Sequence, residues 1–231
     1  MATEFHRLDL GITNSYLIKI PNGYIVVDTG YYSDFKKFLN KLKNLGVNIS
    51  DIEYLFLTHH HDDHAGFATR LTEESGCLRI VHEQAIPPLQ DGESVDTMKP
   101  VNLRVKMLFS IFSLFHKDFR FPSVSIDESD HIISEKNGRI LRDIGLEATI
   151  LHTPGHCRDS MSIVTDDGRA YVGDAAMNFP NIIGLHHRPI YVEDEQQVYR
   201  SWKNLIESGS EQIFPAHGEP FSVEELKIQL N

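Results

Sequence analysis

Apolar residues recur along this 231-residue chain with two alternating periods, and the alternation predicts short strands interleaved with amphipathic helices. Phe5 to Leu10, Tyr16 to Ile20 and Tyr24 to Val27 read as strands, the last two joined by the turn Pro21-Asn22-Gly23. Asp28-Thr29-Gly30 ends that run. Ser33 then caps a helical pattern through Leu45, with Phe35, Phe38, Leu39 and Leu42 on one face, lysines on the other and Gly46 as the stop. Ile52 to Leu57 follows as a strand, Phe67 to Ser75 as a helix and Cys77 to Val81 as another strand. Interleaving of this kind predicts mixed α/β layers.

From Pro87 to Pro122 the texture changes, and Val101 to Phe115 crowds Met107-Leu108-Phe109, Ile111-Phe112 and Leu114-Phe115 between Lys99, Arg104, Lys106, His116 and Lys117. The pattern is an apolar helix or a pair of short ones, too short to span a bilayer. Its apolar face needs cover: the chain's own core, a second subunit in a homodimer through 101–115, or an active-site cleft beneath a lid. Basic residues beside an apolar face also suit a lipid interface. Strand-like pieces return at Val124 to Ile126, His131 to Ile133, Leu146 to Leu151, Met161 to Thr165 and Ala170 to Val172, with Asp166-Asp167-Gly168 as a hairpin turn. Glu193 to Glu207 is helical by pattern, Glu211 to Phe214 a last strand, and Ser222 with Glu225 a capping box for a terminal helix.

Hydrophobic residues make up 41% and charged residues 24%, an ordinary globular composition. The length suits one substantial core, so a single domain over 1–231 is expected. A net charge of −11 disfavours nucleic acid as a partner and leaves a small-molecule substrate. The opening MATEFHRLDL lacks the basic and apolar regions of a signal peptide, and no run is long enough for a transmembrane segment. Cys77 and Cys157 form no spaced pair, which predicts reduced thiols and a cytoplasmic protein.

The densest chemistry lies in Thr58 to Gly66, THHHDDHAG, with four histidines and two aspartates directly after the apolar run Tyr54 to Leu57. A turn between strand and helix can aim several such side chains at one point. Imidazole nitrogen and carboxylate oxygen are ligands that zinc and similar divalent ions prefer. Three later motifs each place a ligand-type residue on a loop after an apolar strand: Thr153-Pro154-Gly155-His156, Gly173-Asp174 and Pro215-Ala216-His217-Gly218.

With these motifs the sequence resembles the metallo-β-lactamase superfamily, whose HxHxDH pattern is met by His59, His61, Asp63 and His64. The resemblance covers nearly the whole chain except an apolar helical insert at about 88–122. It implies a four-layer αββα sandwich of two mixed β-sheets flanked by helices. It also implies two divalent metal ions, Zn²⁺ first and iron or manganese as alternatives. His59, His61 and His156 would hold one ion, Asp63, His64 and His217 the other, with Asp174 bridging. Asp28 would support the metal loop by hydrogen bonding without binding metal, while His60 and Asp62 point away and Cys157 is a buried neighbour.

Two cations acidify a bridging water, giving a hydroxide nucleophile near neutral pH, and Asp63 is placed to orient it and take its proton. The Gly-x-Ser-x-Gly elbow of serine hydrolases is absent. His61 stands where related diiron flavoproteins carry Glu, which favours hydrolysis over redox chemistry. Met177 and Asn178 occupy the neighbourhood where lactonases of the superfamily often have Tyr, and the chain ends soon after His217, where glutathione thioesterases add a helical region. Phe179, His186, His187 and Arg188, on the loop between Asp174 and His217, are substrate-side candidates. The resulting expectation is a hydrolase of an ester, thioester or lactone of a small, partly apolar molecule. A metal-stabilised ligand-binding module is the alternative, and a phosphodiesterase or true β-lactamase stands behind both.

Overall fold

Residues 3–94, 98–112, 119–134, 139–179 and 184–230 are described by the computed structural model, from 108 to 112 by their backbone alone. In chain order the first elements are β1 (Phe5–Asp9), β2 (Asn14–Ile20), β3 (Gly23–Val27), α1 (Phe35–Leu45), β4 (Ile52–Phe56), α2 (Asp62–Ala65), α3 (Ala68–Ser75) and β5 (Leu78–His82). Next come α4 (Ile86–Asp91), β6 (Lys99–Pro100), α5 (Leu103–Phe112), β7 (His131–Ile133), α6 (Ile140–Asp143) and β8 (Ala148–His152). The remainder is β9 (Met161–Thr165), β10 (Arg169–Gly173), β11 (Tyr191–Val192), α7 (Glu195–Glu207), β12 (Gln212–Pro215), β13 (Phe221–Ser222) and α8 (Glu224–Leu230).

The strands form two mixed sheets, ordered β1-β2-β3-β4-β5-β7 and β13-β12-β10-β9-β8, and a small β6–β11 ribbon. Each sheet is antiparallel at one part and parallel at another: β3, β4, β5 and β7 run parallel, as do β10 and β12. Strand alternation explains the layering. On β2, Tyr16, Ile18 and Ile20 face the second sheet, where they meet Ile150, Met161, Ile163, Tyr171 and Phe214. Leu17, on the opposite face, joins Val26, Leu55 and Val81 beneath Phe35, Phe38 and Leu42 of α1 and Leu71 of α3. Outside the second sheet, Val172 and Ile213 pack against Val198, Trp202 and Leu205 of α7 and Leu226 of α8. These three apolar layers hold four structural ones together, the αββα sandwich expected from the resemblance. Central strands buried on both faces account for the nearly unbroken apolar runs in the sequence.

Local departures have visible causes. Val124 to Ile126 is not a strand: Val124 is fully buried, but its N–H donates to Leu89 O at the end of α4, and β7 takes the place beside β5. Ser33 does not cap α1; a single 3₁₀ turn over Tyr32–Asp34 precedes it, with the Asp34 carboxylate accepting from Tyr31 N–H at 3.1 Å. Asp194 caps α7 by accepting from Gln196 and Gln197 N–H, so the helix begins at Glu195. Within the apolar insert, α5 spans Leu103–Phe112, with Val105 buried and Leu103 and Met107 exposed. Leu114 and Phe115 lie outside the described residues, as do the side chains of Phe109 and Phe112. No helix among the described residues is long and apolar enough to cross a membrane.

Candidate metal centre

The chemically active segments all begin where strands end. Asp28 follows β3, His59 to His64 follow β4, His156 follows β8, Asp174 follows β10 and His217 follows β12. These carboxyl ends meet along one edge of the sandwich. The backbone there is tightly specified: Gly173 has φ +52°, and a Cβ on it would come within 2.3 Å of Thr58 Oγ1. A glycine before Asp174 therefore lets β10 press against the histidine loop. Trp202 on α7 donates to Ala175 O at 2.7 Å, fixing the chain beyond Asp174.

Three imidazole nitrogens face one another: His59 Nε2 to His61 Nδ1 at 3.1 Å, His156 Nε2 to His61 Nδ1 at 3.1 Å, and His156 Nε2 to His59 Nε2 at 3.2 Å. Their other nitrogens are occupied. His59 Nδ1 donates to Thr58 Oγ1 at 3.0 Å, and that hydroxyl donates to Asp28 Oδ2 at 2.7 Å. His156 Nδ1 donates to Tyr191 O at 2.8 Å, and His61 Nε2 lies 3.3 Å from Cys157 Sγ. With the ring protons directed outward, three lone pairs converge, a repulsive arrangement that a cation relieves. Triangle edges just over 3 Å are also close to the separation of imidazoles that share a tetrahedral ion at about 2.0–2.1 Å.

Beside this triangle, His217 Nε2 lies 3.1 Å from Asp63 Oδ2 and 3.4 Å from Asp174 Oδ1. His64 Nε2 is 3.6 Å from Asp63 Oδ1 and 3.5 Å from Asp174 Oδ1. The other Asp174 oxygen is 3.4 Å from His156 Nε2, so one carboxylate faces both clusters. His217 Nδ1 donates to Ile12 O at 2.9 Å and His64 Nδ1 to Asp28 Oδ2 at 2.8 Å. His64 Nε2 and Asp174 Oδ1 are buried without a hydrogen-bond partner. Such groups are costly unless an ion takes them up. The donor set therefore fits divalent metal on both sides of Asp174.

Asp28 ties the two clusters together. It adopts a left-handed backbone (φ 57°), and its carboxylate accepts from Thr58 N–H, Thr58 Oγ1 and His64 Nδ1. A non-glycine residue in that region costs about 1–3 kcal/mol, which the three hydrogen bonds offset.

The electrostatics of the two clusters differ. Burial, reinforced by neighbouring imidazoles, holds His59 and His61 well below the usual histidine range, and burial lowers His156 against the pull of Asp174. Burial also opposes charge on His64, but Asp63, Asp174 and Asp28 outweigh it and hold that imidazole well above its usual range. His217 is likewise opposed by burial and raised to about 10 by Asp174 and Asp63. Burial pushes Asp63 and Asp174 up, and the histidines beside them prevail, leaving both below the carboxylate range. Without a cation, protons on His64 and His217 supply the positive charge that this side lacks.

The remaining sequence candidates sort themselves by contact. His60 turns to Asp159, which lies 3.0 Å from both its N–H nitrogen and its ring Nδ1. Asp62 turns to Ser94, and burial with the adjacent Asp63 raises it to about 6. Phe179 stacks on His217 with centroids 5.7 Å apart. His187 instead stacks on Phe221 and pairs with Glu225, and Arg188 holds Glu195 and the carbonyls of Gly184 and Leu185. His186 is exposed and in the left-handed region at φ 51°. Thr13, Thr58, Tyr31 and Asp159 escaped the sequence reading. Thr13 Oγ1 lies 3.5 Å from Asp63, and the Tyr31 phenol is pushed up by burial and then by Asp63, Asp62 and Asp174. Only Thr58 carried a signal, its place directly before the histidines.

A family model described as the metallo-beta-lactamase superfamily matches residues 8–217. The chain is 25% identical to the probable metallo-hydrolase YflN of Bacillus subtilis (strain 168), over 99% of this chain and 89% of that protein. It is 28% identical to a probable metallo-hydrolase of Methanocaldococcus jannaschii, over 90% and 88%. An atrochrysone carboxyl ACP thioesterase of Aspergillus aculeatus is 25% identical over 94% of this chain and 54% of its own length. A metallo-beta-lactamase family protein from Thermus thermophilus superposes with a TM-score of 0.67 at 20% identity, covering 98% of this chain and 78% of that one, a likeness of fold.

Proposed function

Since the chain belongs to the metallo-β-lactamase superfamily, we propose that it is a hydrolase with two divalent ions, zinc first, that cleaves an ester, thioester or lactone of a small, partly apolar molecule. The observation that carries this is the convergence of ring nitrogens of His59, His61 and His156 beside a second cluster that shares Asp174. In this reading His59, His61 and His156 hold one ion, and Asp63, His64 and His217 the other. When bound, the ions supply Lewis acidity and a water-derived nucleophile at neutral pH. Asp63, whose Oδ2 faces His217 and Thr13, would be the carboxylate placed to orient such a water and to take up a proton. Asp28 fixes the ring of His64 directly and that of His59 through Thr58, so neither donor turns as charge develops. Phe179, flat against His217, gives the cleft an apolar wall suited to an acyl group. A thioesterase among the relatives supports carbonyl chemistry.

The buried free thiols of Cys77 and Cys157 support a cytoplasmic setting, and the exposed Leu103 and Met107 of α5 support a homodimer through 101–115. Turnover of a panel of esters, thioesters, lactones, phosphodiesters and β-lactams by metal-loaded protein tests the reading. Carbonyl substrates are expected to turn over best. Preference for phosphodiesters, or metal binding without turnover of any of them, contradicts it.

A further inference from the structure

Among the five histidines of the two clusters, His61 is reversed. His59, His64, His156 and His217 donate outward through Nδ1 and present Nε2, whereas His61 presents Nδ1 and turns Nε2 outward. The outward partners of the other four are oxygens: Thr58 Oγ1, Asp28 Oδ2, Tyr191 O and Ile12 O. The partner of His61 is sulfur, Cys157 Sγ at 3.3 Å. A second sulfur, Met98 Sδ, lies 4.0 Å from Cys157 Sγ, within reach of the thiol hydrogen. A thiol that donates to Met98 leaves a sulfur lone pair to accept from His61 Nε2–H. Cys157 is 1% exposed, so water does not compete for this contact.

The turn that carries Cys157 grips the histidine loop through three of its residues. His156 meets His59 and His61 from the front, Cys157 meets His61 from behind, and Asp159 accepts from the backbone and ring of His60. Arg158 points away to Glu193. Asp159 thus fixes where the loop runs, while Cys157 reaches the outward nitrogen of His61.

We propose that Cys157 is a positioning residue, whose sulfur accepts the Nε2 proton of His61 and thereby keeps the Nδ1 lone pair aimed into the three-histidine cluster. The inference rests on the metal-centre reading. A ring that can turn, or carry its proton on Nδ1, is a poor ligand, so the sulfur sets how tightly this half takes a cation. Sulfur is a weaker acceptor than a carbonyl or carboxylate, which makes His61 the least polarised of the three donors.

The test uses cobalt(II) as both probe and chromophore, with affinity measured against a competing chelator and geometry read from the visible bands. Cys157→Ala is expected to weaken cobalt at the three-histidine half by roughly 10–100-fold and to shift its bands, as loss of an outward partner does. Cys157→Ser, which restores an acceptor, is expected to recover most of that affinity. An alanine variant with parental affinity and bands overturns the proposal, as does a serine variant no better than alanine, which would assign the cysteine to packing. No cobalt bound by the parent protein overturns the metal-centre reading itself. Nitrogen-15 spectra of metal-free parent and Cys157→Ser cover the case in which alanine fails to fold. His61 should carry its proton on Nε2 and be the one cluster imidazole whose N–H shift moves in the serine variant. A proton on Nδ1, or an unmoved shift, overturns the proposal.

Discussion

The two halves of the candidate centre hold similar donor groups and solve opposite electrostatic problems. The His59–His61–His156 half is neutral: burial and crowding keep a second proton off each ring, leaving one nitrogen of each without a proton. The Asp63–His64–His217 half is over-supplied with negative charge, and without a cation two of its histidines hold protons instead. On the proposed reading, a cation entering the first half would displace no protons, whereas one entering the second would have to. Asp174 and Asp28 are where the comparison can be broken, because Asp174 faces both halves and Asp28 braces a histidine in each.

The largest effect is expected from Asp174→Ala. Losing the shared carboxylate should lower metal content at both halves and reduce turnover by at least about 10²–10³-fold, read by elemental analysis and steady-state rates. Retention of full metal content would mean that the halves do not depend on it. Asp28→Asn comes next, with metal affinity weakened roughly 10–100-fold in a chelator titration. Because Asp28 touches His64 directly and His59 only through Thr58, the Asp63 side should suffer more; equal losses would erase the distinction.

In metal-stripped protein the histidines of the two halves should destabilise the fold at opposite ends of the pH scale. His217 is raised from an unfolded value near 6.5 to about 10, so its contribution is fully present below 6.5 and is lost as pH rises through 10. His59, His61 and His156 are lowered, so folding excludes protons that the unfolded chain binds, and stability falls as pH drops below 6.5. Asp63 and Asp174 are depressed and add their loss in stronger acid. Thermal unfolding across this range should show Tm declining on both sides of a maximum, and metal loading should flatten the alkaline limb. A monotonic Tm would contradict the split. The smallest effect is expected from Asp62→Asn, since Asp62 bonds Ser94 and faces away from the donors. Metal content should stay at the parental level, and a loss as large as that of Asp174→Ala would exchange the roles given to the two carboxylates.

The sequence made the apolar architecture legible because β2 and β3 are buried on both faces, and such strands write themselves as nearly unbroken apolar runs. The chemistry was legible where ligands cluster on one turn, as in Thr58 to Gly66, and where a glycine flanks a strand end, as at Gly173-Asp174. What lay beyond reading was pairing at a distance. The outward partners of His156 and His217 are backbone carbonyls of Tyr191 and Ile12, which any residue supplies and no motif marks. Asp159 is three residues from His156, yet its meeting with His60 depends on how β8 and β4 end against each other. Val124 looked like strand because burial and alternation are the same signal whether the partner is a sheet or the end of a helix. His187 and Arg188 looked free for substrate because their partners, Glu225 and Glu195, lie 38 and 7 residues away on α8 and α7.

Two differently charged clusters face one carboxylate, Asp174, and on the proposed reading each takes a cation. Calorimetric titration of metal-stripped protein with zinc, repeated in buffers of different ionisation heat, tests it most directly. Two ions per chain are expected, one bound with little proton release and the other with release of protons from His64 and His217. Saturation at a single ion in metal-replete buffer, or equal proton release in both steps, would contradict it.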